Sequence, residues 1–189
     1  MEKKYYKFTS KGYLTTMAVV DIYTLEAWRT GDKSDDIRFL NENLMVGEYP
    51  DWLKFPLEYV EYWKGKAKDV LEMRRVCCFL ISEHLKDVFE EAGLTGWKTF
   101  DVIVRKKDGE ILPGYYGFSV TGRNPSSKVE EDVEIPDFFR LKPKLSIILC
   151  TQRVIDTLKA NKIRDFDVYP IKGDDVFGKH YDLINFPKE

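Results

Sequence analysis

Phe79-Leu80-Ile81-Ser82-Glu83-His84-Leu85-Lys86-Asp87-Val88-Phe89 and Ile148-Leu149-Cys150-Thr151-Gln152-Arg153-Val154-Ile155-Asp156-Thr157-Leu158 carry one pattern twice. In each, a short apolar run leads to a hydroxyl residue and then to apolar residues at helical spacing. The runs, residues 76–81 and 145–150, read as buried strands. Ser82 and Thr151 offer hydroxyls as N-caps. Leu85, Val88, Phe89 and Ala92 fall at i, i+3, i+4 and i+7, one face of a helix, and Val154, Ile155 and Leu158 form the second such face. Gly93 suits the left-handed residue that closes a helix, and Asn161 is the expected stop of the other. Ser82 and Thr151, Leu85 and Val154, and Phe89 and Leu158 are all 69 positions apart. Beyond the helices, Phe100-Asp101-Val102 matches Phe166-Asp167-Val168 at an offset of 66. The second copy thus reads as shorter at the loop that holds Thr95-Gly96-Trp97.

Two copies are too few for a stacked repeat. Each helix has one apolar face and needs a sheet to cover it. The expected fold is therefore α+β: an antiparallel or mixed sheet with helices on one face, the strand–helix–strand unit used twice. Residues 1–189 are expected to form a single domain, with 76–189 as the duplicated part and 1–75 harder to read. Residues 4–8 and 13–23 suit strands. Residues 53–73 alternate aromatics with charges and read as extended, then as a short helix over 67–73. Asp108-Gly109 is a favoured hairpin pair. It joins a strand over 99–105 to a returning strand that Pro113-Gly114 bends. A polar, acidic connector spans 126–137, after which Phe138, Phe139 and Leu141 are expected to tuck onto the core.

Composition narrows the function classes. The 189 residues are 43% hydrophobic and 14% aromatic, too apolar for a disordered chain. The net charge of −2 lacks the basic footprint of a nucleic-acid binder. Lys64, Lys66, Lys68, Arg74 and Arg75 do lie near Tyr59, Tyr62 and Trp63, but Glu58, Glu61, Asp69 and Glu72 dilute that patch. The Met1-Glu2-Lys3-Lys4 start shows no signal-peptide pattern, and no apolar run is long enough to span a bilayer. The expected setting is the cytoplasm, with reduced thiols at Cys77, Cys78 and Cys150. Without a Cys-x-x-Cys pair, and with only His84 and His180 as imidazoles, neither a metal site nor a cofactor is expected.

Catalysis needs a nucleophile beside a base, paired carboxylates or a metal. His84 sits near a helix start with no orienting partner visible, and reads as a surface residue. His180 lies two residues from Asp182 in a pattern that matches no catalytic signature. The Gly93-Leu94-Thr95-Gly96 and Thr121-Gly122-Arg123-Asn124 turns lack the glycines and lysine of a phosphate cradle. No catalytic residue is assigned. The most suggestive surface feature is the acidic connector. Glu130, Glu131, Asp132, Glu134 and Asp137 crowd together and could dock a basic protein, since complementary charge speeds association and sets specificity.

Several residues carry a family resemblance: Lys4-Tyr5-Tyr6, Ile81-Ser82 with Leu85 and Phe89, Gly93 with Gly96-Trp97, Gly114-Tyr115-Tyr116, and Asp137-Phe138-Phe139. Together they resemble bacterial polymorphic-toxin immunity proteins, a group formerly catalogued as a domain of unknown function, chiefly over residues 76–170. The resemblance implies a cytosolic antidote that binds a cognate toxin and covers its active site without catalytic residues of its own. A basic toxin domain would then be the partner. The expectation is a non-enzymatic protein-binding module. The rivals are a small enzyme with a His/carboxylate site, and a structural or oligomerisation domain.

Overall fold

The computed structural model of the chain describes residues 5–10, 19–22, 57–63, 68–73, 79–106, 108–124, 134–141, 147–171 and 184–185. In chain order the strands are β1 (Tyr5–Ser10), β2 (Val19–Ile22), β3 (Leu57–Trp63), β4 (Val70–Met73) and β5 (Phe79–Ser82). Helix α1 (Glu83–Glu91) follows, then β6 (Trp97–Arg105), β7 (Tyr115–Val120), β8 (Arg123–Asn124), β9 (Phe138–Leu141) and β10 (Ile148–Thr151). Helix α2 (Gln152–Ala160), β11 (Phe166–Pro170) and β12 (Ile184–Asn185) complete the set. The class is α+β, with strands in the majority.

The two units enter different sheets. One sheet is a closed six-stranded barrel in the order β2-β3-β6-β7-β5-β4, and the other is open, in the order β12-β11-β1-β10-β9-β8. Both mix parallel with antiparallel neighbours. A sheet with both helices on one face is the simplest solution for two amphipathic helices; here each helix follows a strand of its own sheet. The buried residues of α1 (Leu85, Val88, Phe89) and of α2 (Val154, Ile155, Leu158) nevertheless meet in one core cluster with Val70, Ile81, Phe118 and Val120 from the barrel and Phe8, Ile148, Cys150 and Val168 from the open sheet. Burying side chains of this size contributes roughly 1.5–3 kcal/mol each.

The apolar runs are continuous because these strands are covered on both faces. Ile81 faces the shared core, while its neighbour Leu80 pairs with Leu71 on the other side of the sheet, and all three are fully buried. In the open sheet Ile148 and Cys150 face the helices, while Leu149 packs with Phe139 and Tyr5 on the opposite face.

Ser82 caps α1 as expected, its Oγ accepting from the Leu85 amide at 3.1 Å. Thr151 stands at the matching N-cap of α2 but caps nothing with its side chain. Both helices close alike. The Gly93 amide donates to Glu90 O and the Leu94 amide to Phe89 O; 69 positions later Lys162 donates to Lys159 O and Ile163 to Leu158 O. Gly93 has φ +60° and Lys162 has φ +57°, so the second copy makes the same left-handed turn without glycine. The Asp108-Gly109 turn forms, with Gly109 at φ +89°.

Two expectations change. Residues 70–73 are strand β4, not the end of a short helix: Val70 and Leu71 are both fully buried and pair with β5, which calls for alternating faces. From the N-caps through the strands after the helices, the copies also keep one offset. Trp97 and Phe166 open the strands after the helices, and Thr99, opposite Phe118 of β7, and Val168, opposite Phe8 of β1, take equivalent places, again 69 apart. The Phe-Asp-Val identity at 66 is a coincidence of composition, since the sheet register aligns Phe100 with Tyr169.

Candidate functional site

The densest meeting of titratable side chains lies where the first unit abuts the loop after α2. Asp69 precedes β4. Its Oδ1 accepts from Ser82 Oγ at 2.6 Å and lies 3.0 Å from Nδ1 of His84. Its amide donates to Oδ2 of Asp165 at 2.9 Å, and Lys68 Nζ lies 3.4 Å from the other oxygen of Asp165. The Tyr115 hydroxyl closes the group by donating to Lys68 O at 2.6 Å. Burial, with the nearby Asp69 and Asp165 charges, pushes Tyr115 up to about 12. Burial also raises Asp165, against the opposing pull of Lys68 and the Asp69 amide.

An imidazole, a carboxylate and a hydroxyl thus converge, which invites an enzymatic reading. The second unit repeats the arrangement without the imidazole. Asp137 precedes β9 as Asp69 precedes β4. Its Oδ1 accepts from Thr151 Oγ1 at 2.9 Å, and its Oδ2 from Arg153 at 3.1 Å. Thr151 is the counterpart of Ser82, and Arg153 of His84. The backbone repeats the match: the Ser82 amide donates to Asp69 O at 2.8 Å and the Thr151 amide to Asp137 O at 3.0 Å. A guanidinium cannot act as a general base at neutral pH, yet the bonding pattern survives the replacement. What the copies share is a clamp that ties a strand entry to a helix start. The hydroxyl in each donates to the aspartate and not to the imidazole, whereas a nucleophilic serine needs the base as its acceptor.

The two clamps are also cross-tied. The Asp137 amide donates to Thr95 Oγ1 at 3.1 Å, and Asp137 Oδ2 accepts from the Thr95 amide at 3.0 Å and from its hydroxyl at 3.2 Å. Thr95 sits in the loop after α1 and Asp165 in the loop after α2. Each loop therefore reaches the strand entry of the other unit. Arg153 extends the tie by donating to Ala92 O at the end of α1. Two glycines make room for the contact: a Cβ at Gly96 or at Gly122 would lie 2.0 Å from the Phe138 carbonyl oxygen. None of Asp69, Thr95, Arg153 and Asp165 stands out when the sequence is read along one unit. The legible signal is the like order of Asp69, Ser82 and His84 and of Asp137, Thr151 and Arg153, with one more residue between aspartate and hydroxyl in the second set.

The residues chosen for partner binding separate. Glu134 is exposed. Glu130, Glu131 and Asp132 lie outside the described residues, as do Cys77, Cys78 and His180. Asp137 is buried, with its carboxylate turned inward to the donors of Thr95, Thr151 and Arg153. It serves the framework and offers no outward charge. Arg123 donates to Val120 O and Gly122 O, closing a turn. Cys150 is buried, which pushes its thiol up, with the Asp137 charge adding to the effect. Among the described residues no group of three metal-ligating side chains comes together, and no helix is long and apolar enough to cross a membrane.

The model of the immunity protein family Imm11 matches residues 13–124. The chain belongs to the Imm11 immunity protein family. No curated protein matches it. The Imm11 match runs from before β2 to the last residue of β8, so it takes in the whole first unit and leaves β1 and the second unit outside. The resemblance noted in the sequence pointed to the right family and overlaps this span over residues 76–124. Membership in Imm11 suggests an immunity-type inhibitor.

Proposed function

We propose that this Imm11 chain is a non-enzymatic protein-binding module that works in the cytoplasm as an inhibitor, binding a cognate bacterial toxin and neutralising it. The match to the immunity family over residues 13–124 carries the reading. Two further observations support it. The imidazole–carboxylate–hydroxyl convergence is repeated with arginine in place of histidine, as a framework contact would be. The ties between the units are internal, which leaves outer surfaces free to be shaped for a partner. The partner surface includes the acidic connector at Glu130, Glu131, Asp132 and Glu134, and the partner is a basic toxin domain. A docking surface of this kind needs no cofactor and no metal.

Co-expression tests it. The full chain is produced together with the toxin domain encoded beside it, with growth and co-purification as readouts. Rescue of growth with a stable complex is expected. Rescue without any complex would point to chemistry on the toxin or its product, and would overturn inhibition by binding.

A further inference from the structure

The two units are completed by strands from different parts of the chain. In the first, β7 lies between β5 and β6, antiparallel to both, and joins β6 through the Asp108-Gly109 turn. In the second, β1 lies between β10 and β11, antiparallel to both, and comes from far upstream: the Tyr6 hydroxyl donates to Gln152 across 146 positions. The inserted strands share a sequence, Tyr115-Tyr116-Gly117-Phe118-Ser119 and Tyr5-Tyr6-Lys7-Phe8-Thr9. They share a register too. Tyr115 faces Ser82 and Tyr5 faces Thr151; Tyr116 faces Ile81 and Tyr6 faces Cys150. On the other side Phe118 faces Thr99 and Phe8 faces Val168. The two phenylalanines converge on one ring, each 5.4 Å from Phe138.

The seat that receives β1 reads side chains as well as backbone. Tyr6 and Phe8 point into the shared core, and Phe8 also lies 4.1 Å from the Phe166 ring. On the opposite face Tyr5 meets Phe139 edge-on at 5.6 Å, and the Lys7 ammonium lies 5.7 Å from the centre of the Tyr169 ring. Without β1, β10 and β11 would present facing edges with unpaired amides and carbonyls, which is a template for an added strand. The connection to β1 is long, and closing a long loop gives a same-chain strand only a limited entropic advantage over one from another molecule.

We propose that the gap between β10 and β11 is a strand-binding site selective for a Tyr-Tyr-x-Phe-(Ser/Thr) segment. It is filled by the chain's own β1 and is open to exchange with the β1 of a second copy when the chain folds at high concentration. The inference stands apart from the immunity reading. The first test uses the full chain carrying Phe8→Asp, which weakens its own β1, and a peptide of sequence Lys-Tyr-Tyr-Lys-Phe-Thr-Ser. The peptide is expected to raise the melting temperature of the variant by several degrees in a dose-dependent way. The same peptide with aspartate at the phenylalanine position is expected to leave it unchanged. Equal effects of both peptides, or none from either on a cooperatively folded variant, overturn the proposal. Where the variant does not fold, the wild-type chain decides. Two differently tagged populations are refolded together from urea at high and at low concentration. Tags that co-purify after refolding at high concentration, less so when excess peptide is present, support the exchange. Tags that stay separate at every concentration overturn it.

Discussion

His84 and Arg153 stand at the same point of the two copies, each the second residue of its helix and each reaching back to the aspartate that precedes the strand ahead of its own unit, β4 or β9. The His84 side chain is 62% exposed and its contact with Asp69 is solvated. Exposed pairs of this kind contribute less than about 1 kcal/mol. Installing the residue of the other copy, His84→Arg, is expected to leave stability at neutral pH within about 0.5 kcal/mol of the wild type. His84→Ala is expected to retain toxin protection in the co-expression assay. Loss of protection by a folded His84→Ala protein would revive the enzymatic reading.

Asp137 is the more demanding member of the pair of clamps. It is buried and accepts from Thr95, Thr151 and Arg153. Asp137→Ala leaves those donors without their acceptor and is expected to cost about 3 kcal/mol. Asp137→Asn keeps one oxygen and is expected to cost less. Urea unfolding followed by tryptophan fluorescence measures both, and an alanine variant as stable as wild type would remove Asp137 from the framework.

Gly96 permits the crossing of the two units. It has φ +83°, and an added Cβ would collide with the backbone of Phe138. Side-chain movement cannot relieve a clash with main chain. Gly96→Ala is expected to lower stability by more than about 2 kcal/mol. Gly109→Ala makes the control: φ is +89° there, but nothing lies within 4 Å of the added atom, so only the conformational part of the cost remains.

Tyr115 gives a pH signature. Its folded-state value is raised from 10.0 to about 12. A raised phenol contributes stability that is fully present below its unfolded value and is lost as pH climbs through the folded one. Tyr115→Phe removes the hydrogen bond to Lys68 O and is expected to cost roughly 1 kcal/mol up to pH 10. The gap between wild type and variant should close as the pH approaches 12. Unfolding free energies at several alkaline pH values test this, and a gap that widens there would refute it.

The acidic connector carries the prediction that bears most on the partner. Glu130→Lys, Glu131→Lys and Asp132→Lys together are expected to weaken binding to a basic toxin by about tenfold or more at low salt, mainly through slower association. The salt dependence of the affinity should flatten in the same variant. Unchanged affinity would leave the connector a solvated loop.

Much of this arrangement was legible in residue order. Val88, Phe89 and the Ser82 cap announce α1; Val154, Ile155 and Leu158 announce α2; the runs before them announce strands covered on both sides. Asp108-Gly109 marked its turn. The kinship of β1 with β7 was in plain view as Tyr-Tyr-x-Phe, but the two segments lie in different contexts, one in a local hairpin and one far from its neighbours, so nothing along the chain pairs them. Lys162 hides the second helix end for a related reason: the turn demands a left-handed residue, and lysine accepts the strain where glycine would have advertised it. The clamps were hidden because a carboxylate that serves the framework and one that serves a partner look alike until burial is known. Asp137 and Glu134 read as two acids of one connector until burial separates them.

The placement of β1 has a consequence for the order of assembly. Its counterpart β7 can pair with β6 as soon as their short turn closes, on the time scale of a hairpin. β1 is translated before any of its neighbours yet has nowhere to go until both β10 and β11 exist. Contacts so remote in the chain form late. The first unit is therefore the natural nucleus, and β1, made well ahead of β10 and β11, is the last of the three to find its place.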